Sequence, residues 1–383
     1  MKENIKRLQK IELPNGQSAF LWGPRKTGKS TFLRQHFPKS LIYDFLDTDL
    51  YHDLVKKPSL LRQRLSALEV KGPVILDEVQ KIPAVLNEVH WMIENMDLYF
   101  ILCGSSARKL KRGQANLLGG RAWRFELFPL VYPEIEDFDL LHALNNGLLP
   151  VHYLQKDARK SLNGYVKDYM KEEVFEEGLT RNIPAFSRFF DSMVFDHGQM
   201  VNFTNISRDC SVDVKTVQQY YQILVDTFLG SFVEPYKRRQ DRGVITRTPK
   251  FYLFDVGVAG AIIRRHLVQE AGTEFGNAFE HFIFMELTAY NSYKERDIRI
   301  NYWRTKSGLE VDFILGKGEV AIEVKGSNRV DFTDIKGLRA FYEEYKPKKA
   351  IVVTNERASR VERGIRFLPW REFLPLLWQG DII

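Results

Sequence analysis

Residues Gly23–Ser30, with the sequence GPRKTGKS, constrain the fold more than any other segment of the chain. They fill every required position of the phosphate-binding loop pattern G-x-x-x-x-G-K-[ST], which joins a strand to the following helix. The apolar run Ala19–Trp22 ahead of the loop predicts the strand, and Ser30–His36 behind it predicts the helix. Backbone N–H groups of the loop and of the helix N-terminus would then point at phosphates. The pattern therefore predicts a nucleotide site.

The predicted nucleotide site takes the whole loop and one residue from a neighbouring strand. Lys29 would reach the β- and γ-phosphates of ATP as a point charge, and the Ser30 hydroxyl would bind Mg²⁺. A Gly- and Lys-rich turn formed by chance is the alternative interpretation. The candidate nucleotide-binding residues are Gly23, Pro24, Arg25, Lys26, Thr27, Gly28, Lys29, Ser30, Thr31 and Ser105.

A second motif, Val74–Glu78, is an apolar run that ends in two acids. Such a run is typical of a parallel strand covered on both faces, and its carboxyl end lies at the edge where α/β sheets bind ligands. Asp77 would hold Mg²⁺ through water, and Glu78 would polarise the attacking water. For this motif alone, the alternative is an ordinary strand that ends in solvated acids. Ser105 follows the apolar run Tyr99–Cys103, where it would sense the γ-phosphate or belong to a Gly-Ser turn.

Composition narrows the class of protein without identifying it. The chain has 383 residues, which suggests two or three domains. Its net charge is 56 − 49 = +7, which is compatible with a nucleic-acid partner. The two cysteines, Cys103 and Cys210, form no disulfide framework, so a reducing cytoplasm fits best. No apolar run approaches the length of a membrane span, so we expect no membrane partner.

The first segment, residues 1–150, alternates predicted strands and helices, which favours an α/β fold with a mostly parallel sheet. Arg121 precedes the last of these strands, where it would contact the γ-phosphate of ATP bound to its own or to a neighbouring subunit. A surface charge is the alternative for this arginine. The predicted strands are Ala19–Trp22, Leu41–Phe45, Val74–Leu76, Tyr99–Cys103 and Trp123–Leu127, and the predicted helices include Leu60–Leu68 and Ala84–Glu94.

The middle segment, residues 151–254, is predicted to be helical and to contain a winged-helix-like unit. A short helix at Phe203–Arg208 is followed by a longer one at Val214–Phe228, which Ser211 or Asp213 would cap. Two predicted strands then flank a basic stretch that would form the wing, with Lys237, Arg238, Arg239, Arg242 and Arg247. Such a wing can track nucleic-acid phosphates, but many winged helices contact only proteins. Both interpretations stay open.

The third segment, residues 255–383, carries a second group of chemically suggestive residues. Alternating strands Leu309–Leu315 and Glu319–Lys325 surround a hairpin turn, and a helix at Phe275–Tyr290 precedes them. Glu280, Asp312, Glu323 and Lys325 would converge from these elements; the acids would bind divalent cations and the lysine would orient water. A solvated hairpin face is the alternative. The apolar neighbours of Glu323 and Lys325 favour a central strand, in which charged residues need a partner or a role.

These motifs together resemble AAA-type ATP-binding proteins of bacteria and archaea. Those proteins carry a C-terminal domain of unknown function that is similar to the PD-(D/E)xK nuclease fold. The resemblance implies Lys29 and Ser30 at the nucleotide, Asp77 and Glu78 at Mg²⁺ and water, and a role for Arg121. It also implies a nuclease tetrad of Glu280, Asp312, Glu323 and Lys325, with Asp312 and Glu323 at the metal. The stretches that carry it are Gly23–Ser30, Leu76–Pro83, Gly104–Ser106, Leu118–Arg121, Phe125–Leu130, Lys250–Gly257, Gly276–Glu280, Glu310–Ile314 and Glu323–Lys325.

The sequence thus predicts a P-loop AAA-like ATPase domain (1–150), a helical and winged-helix-like domain (151–254) and a PD-(D/E)xK-like α/β domain (255–383). The leading hypothesis is an Mg²⁺- and ATP-dependent enzyme whose nucleotide state gates a nuclease acting on DNA or RNA, with Mg²⁺ or Mn²⁺ at the nuclease site. A regulatory ATPase that binds nucleic acid without cutting it is the first alternative, and a signalling or scaffold ATPase is the second. A homo-oligomer follows if Arg121 acts across a subunit boundary.

Overall fold

The computed structural model describes residues 5–14, 16–108, 118–170, 182–237 and 248–383 of the chain. Its N-terminal part is built on a five-stranded sheet in the order β2-β3-β4-β1-β5. Every pairing in this sheet is parallel, so the predicted α/β class is confirmed. The strands are β1 (Ser18–Trp22), β2 (Ile42–Asp44), β3 (Val74–Asp77), β4 (Phe100–Gly104) and β5 (Ala122–Glu126).

Helices cover both faces of this parallel sheet. Successive side chains of a strand point to opposite faces, and both sets are apolar here, so both faces need a cover. Phe20 packs into one core cluster with Val89, and Leu21 packs into another with Phe32. This two-sided burial explains the near-continuous apolar runs in the sequence. The helices of this part are α1 (Lys29–His36), α2 (Thr48–Lys56), α3 (Ser59–Ser66) and α4 (Val85–Asn95).

The middle of the chain is helical, as the sequence predicts. Asp213 caps α10 by accepting a hydrogen bond from the Thr216 N–H at 2.9 Å, so one of the two predicted caps is confirmed. The helices are α5 (Leu140–Asn146), α6 (Pro150–Tyr153), α7 (Arg159–Gly164), α8 (Ile183–Met193), α9 (Phe203–Cys210) and α10 (Val214–Asp226), and a π-helical stretch (Tyr165–Met170) follows α7.

A second, eight-stranded sheet has the order β12-β13-β11-β10-β9-β8-β6-β7. The two strands predicted around the basic stretch pair antiparallel with each other, as β6 and β7. Strand β6 also pairs with β8, so the middle segment contributes strands to the C-terminal sheet. Those strands are β6 (Gly230–Pro235), β7 (Lys250–Leu253), β8 (Ile300–Arg304), β9 (Glu310–Leu315), β10 (Val320–Lys325), β11 (Lys349–Thr354), β12 (Arg360–Glu362) and β13 (Ile365–Pro369).

The predicted hairpin is formed by β9 and β10, which pair antiparallel. Because β10 also pairs with β11, it is a central strand, as its apolar sequence predicts. Core clusters cover both faces of the sheet: Ile322 packs with Phe279 of α12 on one face, and Ala321 packs with Phe341 of α13 on the other. The helices around this sheet are α11 (Val256–Ile262), α12 (Thr273–Tyr293), α13 (Lys336–Tyr345) and α14 (Trp370–Gln379).

Two further expectations concern cysteines and membrane spans. Cys103 and Cys210 are both buried and unbonded to each other, which agrees with the absence of a disulfide framework. Within the described residues, no helix combines the length and apolar character that crossing a bilayer requires.

Candidate nucleotide site and acidic cluster

The phosphate-binding loop connects β1 to α1, in the strand–loop–helix arrangement that the motif requires. Gly28 has φ 91° and lies immediately before the first residue of α1, a backbone conformation that favours glycine. A Cβ atom on Gly23 would lie 2.4 Å from the carbonyl oxygen of Leu127. Both glycines are therefore required for the shape of the loop, and α1 begins where its N–H groups can meet a phosphate.

Lys29 is a buried cation held against the loop. Its Nζ donates to the carbonyl oxygens of Gly23 at 2.7 Å and Pro24 at 2.9 Å. The Thr27 hydroxyl donates to the same Pro24 carbonyl at 2.9 Å, which stiffens the loop. A lysine at the helix start, together with the N–H groups of α1, gives a donor set suited to the phosphates of ATP.

Asp77 lies at the carboxyl end of β3, is 2% exposed and accepts a hydrogen bond from the Glu78 N–H at 3.0 Å. Burial raises the pKa of the Cys103 thiol, the charge of Asp77 raises it further, and Lys29 opposes that rise. Cys103 therefore lies within electrostatic reach of both Asp77 and Lys29. The hydroxyl of Ser30 and the carboxylate of Asp77 are hard oxygen ligands of the kind Mg²⁺ takes beside substrate phosphates.

Gln80 forms hydrogen bonds with both Glu78, predicted to polarise water, and Ser105, predicted to sense the γ-phosphate. The sequence analysis did not identify Gln80 as a site residue. Its Nε2 donates to the Glu78 carboxylate at 2.5 Å and to the Ser105 hydroxyl at 3.1 Å. Arg25 of the loop donates to the same hydroxyl at 3.4 Å. The structure thus brings Arg25, Glu78 and Ser105 to one place at the edge of the sheet. The sequence offers one indication of this role: the amide side chain of Gln80 comes two residues after Glu78.

Arg121 does not contact the loop in this structure. Its Nε lies 2.5 Å from a Glu94 carboxylate oxygen on α4, and both side chains are nearly half exposed. Exposed ion pairs of this kind contribute roughly 0–1 kcal/mol, so a nucleotide or a second subunit could displace it at low cost. The predicted role of Arg121 at the γ-phosphate stays a prediction.

In the C-terminal part, Asp312 of β9 meets Glu323 and Lys325 of β10. Lys325 Nζ lies 2.7 Å from Glu323 Oε1, and Asp312 Oδ2 accepts a hydrogen bond from the Val324 N–H at 2.7 Å. Burial, followed by the charge of Glu323, holds the pKa of Asp312 well above its usual range. Burial also raises the pKa of Glu323, although Lys325 opposes that rise.

Lys250 binds the fourth predicted residue, Glu280 of α12, and the sequence reasoning missed it. Lys250 Nζ lies 3.3 Å from Glu280 Oε1 and 2.6 Å from Glu310 Oε1. The Tyr252 hydroxyl donates to the same Glu280 oxygen at 2.5 Å, and Arg304 pairs with the other Glu310 oxygen. The sequence offers one indication of this role: Lys250 is a charged residue in an otherwise apolar strand. The same feature singles out Glu323 and Lys325 in β10.

These residues form what we call the acidic cluster, and its charges do not balance. With all four carboxyls ionised, four carboxylates face three cations, which leaves −4 + 3 = −1; burial and the charge of Glu323 oppose the ionisation of Asp312. Each cation forms an ion pair with Glu280, Glu310 or Glu323. Among the described residues, none forms an ion pair with Asp312, although the charges of Lys250 and Lys325 both lower its pKa. The other Glu323 oxygen, Oε2, is buried and has no hydrogen-bond partner in the described part of the chain. The members are Glu280, Glu310, Asp312, Glu323, Lys250, Arg304 and Lys325.

The excess charge and the unpaired oxygen fit one additional cation at Asp312 and Glu323. Mg²⁺ is commonly held by one or two carboxylates, with water and substrate phosphates completing its shell. Among the residues that the structure describes, no group of three or more His, Cys, Asp or Glu side chains is arranged to hold a metal ion. Any cation here would therefore have at most two protein carboxylates.

Arg7 connects the phosphate-binding loop to α12. Its guanidinium donates to the Thr27 carbonyl at 2.6 Å and, more weakly, to the Tyr293 hydroxyl at 3.4 Å. It also forms a buried ion pair with Glu134 at 2.9 Å. Helix α12 carries Tyr293 at its end and Glu280 near its start. One residue thus contacts both the loop and the helix that reaches the acidic cluster.

The predicted basic wing lies mostly outside the described residues. Arg238, Arg239, Arg242 and Arg247 fall in 238–247, and of the basic residues named for the wing only Lys237 is described. The nucleic-acid contact expected there stays a prediction.

Three family models match consecutive parts of the chain. Residues 15–136 match an AAA domain, residues 137–268 match a domain of unknown function (DUF8612), and residues 275–373 match a second one (DUF4143). The first match spans the loop, Asp77, Glu78 and the parallel sheet. Residues 15–136 form an AAA-type P-loop domain. This match supports an ATPase function for the AAA domain, whereas the other two models name no activity.

Known proteins similar to the chain add little on activity. An uncharacterized protein of Haemophilus influenzae is 22% identical over 346 residues, which cover 79% of this chain and 80% of the relative. The Walker-type ATPase PABY2304 of Pyrococcus abyssi is 16% identical with a TM-score of 0.43, over 64% of this chain and 90% of its own. The Aeropyrum pernix ORC1 protein, solved in complex with DNA, is 15% identical with a TM-score of 0.26, over 66% of this chain and 87% of its own. Because both TM-scores are low, the AAA assignment depends on the family match and the loop geometry.

Proposed function

We propose that the AAA domain binds and hydrolyses ATP and that the bound nucleotide controls cleavage of nucleic acid, with DNA the favoured substrate, at the acidic cluster. The buried Glu323 oxygen that has no hydrogen-bond partner in the described part of the chain, in a cluster with one more carboxyl than cations, is the observation that carries the cleavage part. We further propose three domains: an ATPase domain (1–150), a helical and winged-helix-like domain (151–254) that contacts the nucleic acid, and a nuclease-like domain (255–383).

In the AAA domain, the positions of the predicted site residues support a role for each in ATP binding or hydrolysis. Lys29 and the N–H groups of α1 would hold the β- and γ-phosphates, and Ser30 and Asp77 would hold Mg²⁺, which supplies positive charge to the phosphates. Glu78 would accept a proton from the attacking water. That water attacks the γ-phosphorus, the bond to the β-phosphate oxygen breaks, and ADP and phosphate leave. Gln80, bonded to both Glu78 and Ser105, would keep the carboxylate in position.

In the acidic cluster, Asp312 and Glu323 would hold one Mg²⁺ or Mn²⁺, which supplies positive charge at a phosphodiester. Lys325 would orient the attacking water or neutralise charge that develops on the phosphate. Water would attack the phosphorus and the bond to the leaving sugar oxygen would break; the proton released by the water would pass through solvent to that oxygen, so that a phosphate monoester and a sugar hydroxyl leave. Lys250 and Tyr252 hold Glu280 through its Oε1 oxygen.

Arg7 would link nucleotide binding at the loop to cleavage at the acidic cluster. Phosphate binding at the loop would shift Thr27, whose carbonyl accepts from Arg7, and Arg7 also reaches Tyr293 on α12. A cavity of about 380 Å³ separates Gly23 and Pro24 of the loop from Phe284 of the same helix. The loop and α12 therefore border space into which either can move.

Cleavage assays on labelled single- and double-stranded DNA and RNA test this proposal. Wild type, Asp312→Asn and Lys325→Ala are compared in Mg²⁺ or Mn²⁺, with Lys317→Ala as a control because Lys317 is an exposed lysine in the same hairpin. We expect metal-dependent cutting that falls at least a hundredfold in the first two variants and stays unchanged in the control. Equal cutting by wild type and Asp312→Asn would contradict the assignment and point to a contaminating nuclease.

A second candidate function is a regulatory ATPase that binds nucleic acid without cutting it. The neutralisation of Glu280 by Lys250 favours this alternative, because one of the four tetrad residues is already paired. In that case no substrate is cut, while DNA binding weakens steeply with salt and Lys325→Ala only lowers the affinity. An affinity that does not change with salt would exclude this alternative too and favour a protein partner.

A further inference from the structure

Lys250 is buried to a degree that is rare for lysine. It begins β7 and is 2% exposed, and lysines are almost never fully buried unless they are paired. Its Nζ lies between Glu280 of α12 and Glu310 of β9, and 5.5 Å from the centre of the Tyr302 ring. A single cation thus joins a helix carboxylate to a strand carboxylate.

Two carboxylates of the acidic cluster are held in place by Lys250. Glu280 Oε1 accepts from both Lys250 and Tyr252. Glu310 uses one oxygen for Lys250 and the other for Arg304. The ammonium of Lys250 thus occupies the position between Glu280 and Glu310, whereas Glu323 pairs with Lys325 through only one of its oxygens.

We propose that Lys250 is a built-in cation of the acidic cluster, so that the cluster takes one divalent cation, at Asp312 and Glu323, and not a second one at Glu280. This inference rests on the proposed function for the identity of the pair, but it concerns cation binding and not cleavage. In two-metal sites the second ion holds and neutralises a further carboxylate; here a lysine ammonium does so permanently. Lys250 is therefore a positioning residue that fixes Glu280 and Glu310.

Removal of the ammonium would change the number of cations the cluster can hold. With all four carboxyls ionised, Lys250→Met changes the cluster charge from −1 to −2, and Glu280 Oε1 keeps only the hydrogen bond from Tyr252. Methionine fills much of the volume of the lysine stem, so the packing around β7 is largely kept. The vacated position between Glu280 and Glu310 then becomes a site for a second divalent cation.

Titration of the full-length protein with Mn²⁺, with free ion followed by electron paramagnetic resonance and no nucleotide present, tests the inference. We expect Lys250→Met to bind one more Mn²⁺ than wild type, and Lys250→Arg to bind the same number as wild type. Asp312→Asn identifies which ions belong to the cluster. Equal numbers for Lys250→Met and wild type would overturn the inference, because a lysine with a purely structural role would leave the number unchanged.

Glu280→Gln provides a second test if Lys250→Met does not fold. Lys250 and Tyr252 already engage Glu280, so this nearly isosteric variant should keep the wild-type number of Mn²⁺ ions and their affinity within about threefold. Loss of an ion in Glu280→Gln would show that Glu280 is a metal ligand and would overturn the inference. A cluster that binds Mn²⁺ as expected but cuts no nucleic acid would contradict the proposed cleavage. The role proposed for Lys250 would still hold in that case.

Discussion

Replacement of Arg7 by methionine should destabilise the protein more than almost any other single substitution near the AAA domain. Arg7 and Glu134 form an ion pair at 2.9 Å, with side chains only 6% and 1% exposed. Removal of one member of a buried pair leaves an uncompensated charge, which typically costs about 3–5 kcal/mol. The Leu8 and Val131 N–H groups still donate to Glu134, which places the expected loss near the lower end of that range.

The loss should also depend on pH and on the partner. Burial raises the pKa of Glu134, and Arg7 opposes that rise; without Arg7 the pKa rises further. Glu134 is then protonated at low pH in Arg7→Met, so the destabilisation should be smaller at pH 5 than at pH 8. Arg7→Met/Glu134→Gln, which removes both charges, should recover roughly half of the loss at pH 8.

Urea unfolding followed by circular dichroism measures these effects through the free energy of unfolding. Arg357→Met is the matched control, because Arg357 is exposed and should change stability by less than about 0.5 kcal/mol. The reasoning is refuted if Arg7→Met loses less than about 1 kcal/mol at pH 8, or if the double variant is no more stable than the single one.

Three further outcomes are expected. Lys29→Ala should weaken MgATP binding at least a hundredfold by calorimetry, because it removes the ammonium proposed to bind the phosphates; unchanged affinity would contradict the loop assignment. Glu78→Gln should bind ATP normally but hydrolyse it roughly 10²–10⁴-fold more slowly in a phosphate-release assay, whereas a wild-type rate would mean that another group activates the water. Burial raises the pKa of Glu286 to about 8, so this carboxyl stabilises the fold below its ordinary pKa near 4.5 and loses that contribution as the pH rises through 8. At ~1.36 kcal/mol per unit the loss is at most about 5 kcal/mol. Glu286→Gln should therefore flatten the fall in stability between pH 5 and 9, although either the Trp378 or the Tyr132 N–H loses its acceptor, and an unchanged pH profile would argue against this explanation.

The AAA domain could be predicted from the sequence because its determinants are local. The loop residues from Gly23 to Ser30 are contiguous, and the apolar runs of β1, β3 and β4 have the two-sided burial typical of parallel strands. The same local patterns predicted α12 and the hairpin of β9 and β10. Their boundaries in the structure differ from the predicted ones by only a few residues.

The connections between the domains could not be predicted, because they join residues far apart in the chain. Arg7 contacts Thr27, 20 residues away, and Tyr293, 286 residues away. Lys250 meets Glu280 across 30 residues, and nothing local shows that its ammonium points into the acidic cluster. Similarly, the strand pair around the basic stretch was predicted, but its continuation into the C-terminal sheet through Glu234 was not. Long-range register depends on packing, which one sequence pattern does not encode.

We propose that nucleotide bound to the AAA domain controls the acidic cluster. The most direct measurement is the rate at which wild type and Lys29→Ala cut labelled duplex DNA in Mg²⁺, with no nucleotide, with ATP and with a non-hydrolysable ATP analogue. We expect nucleotide to change the wild-type rate at least tenfold and to leave the Lys29→Ala rate unchanged. A wild-type rate that is the same with and without nucleotide would show that the AAA domain does not control cleavage.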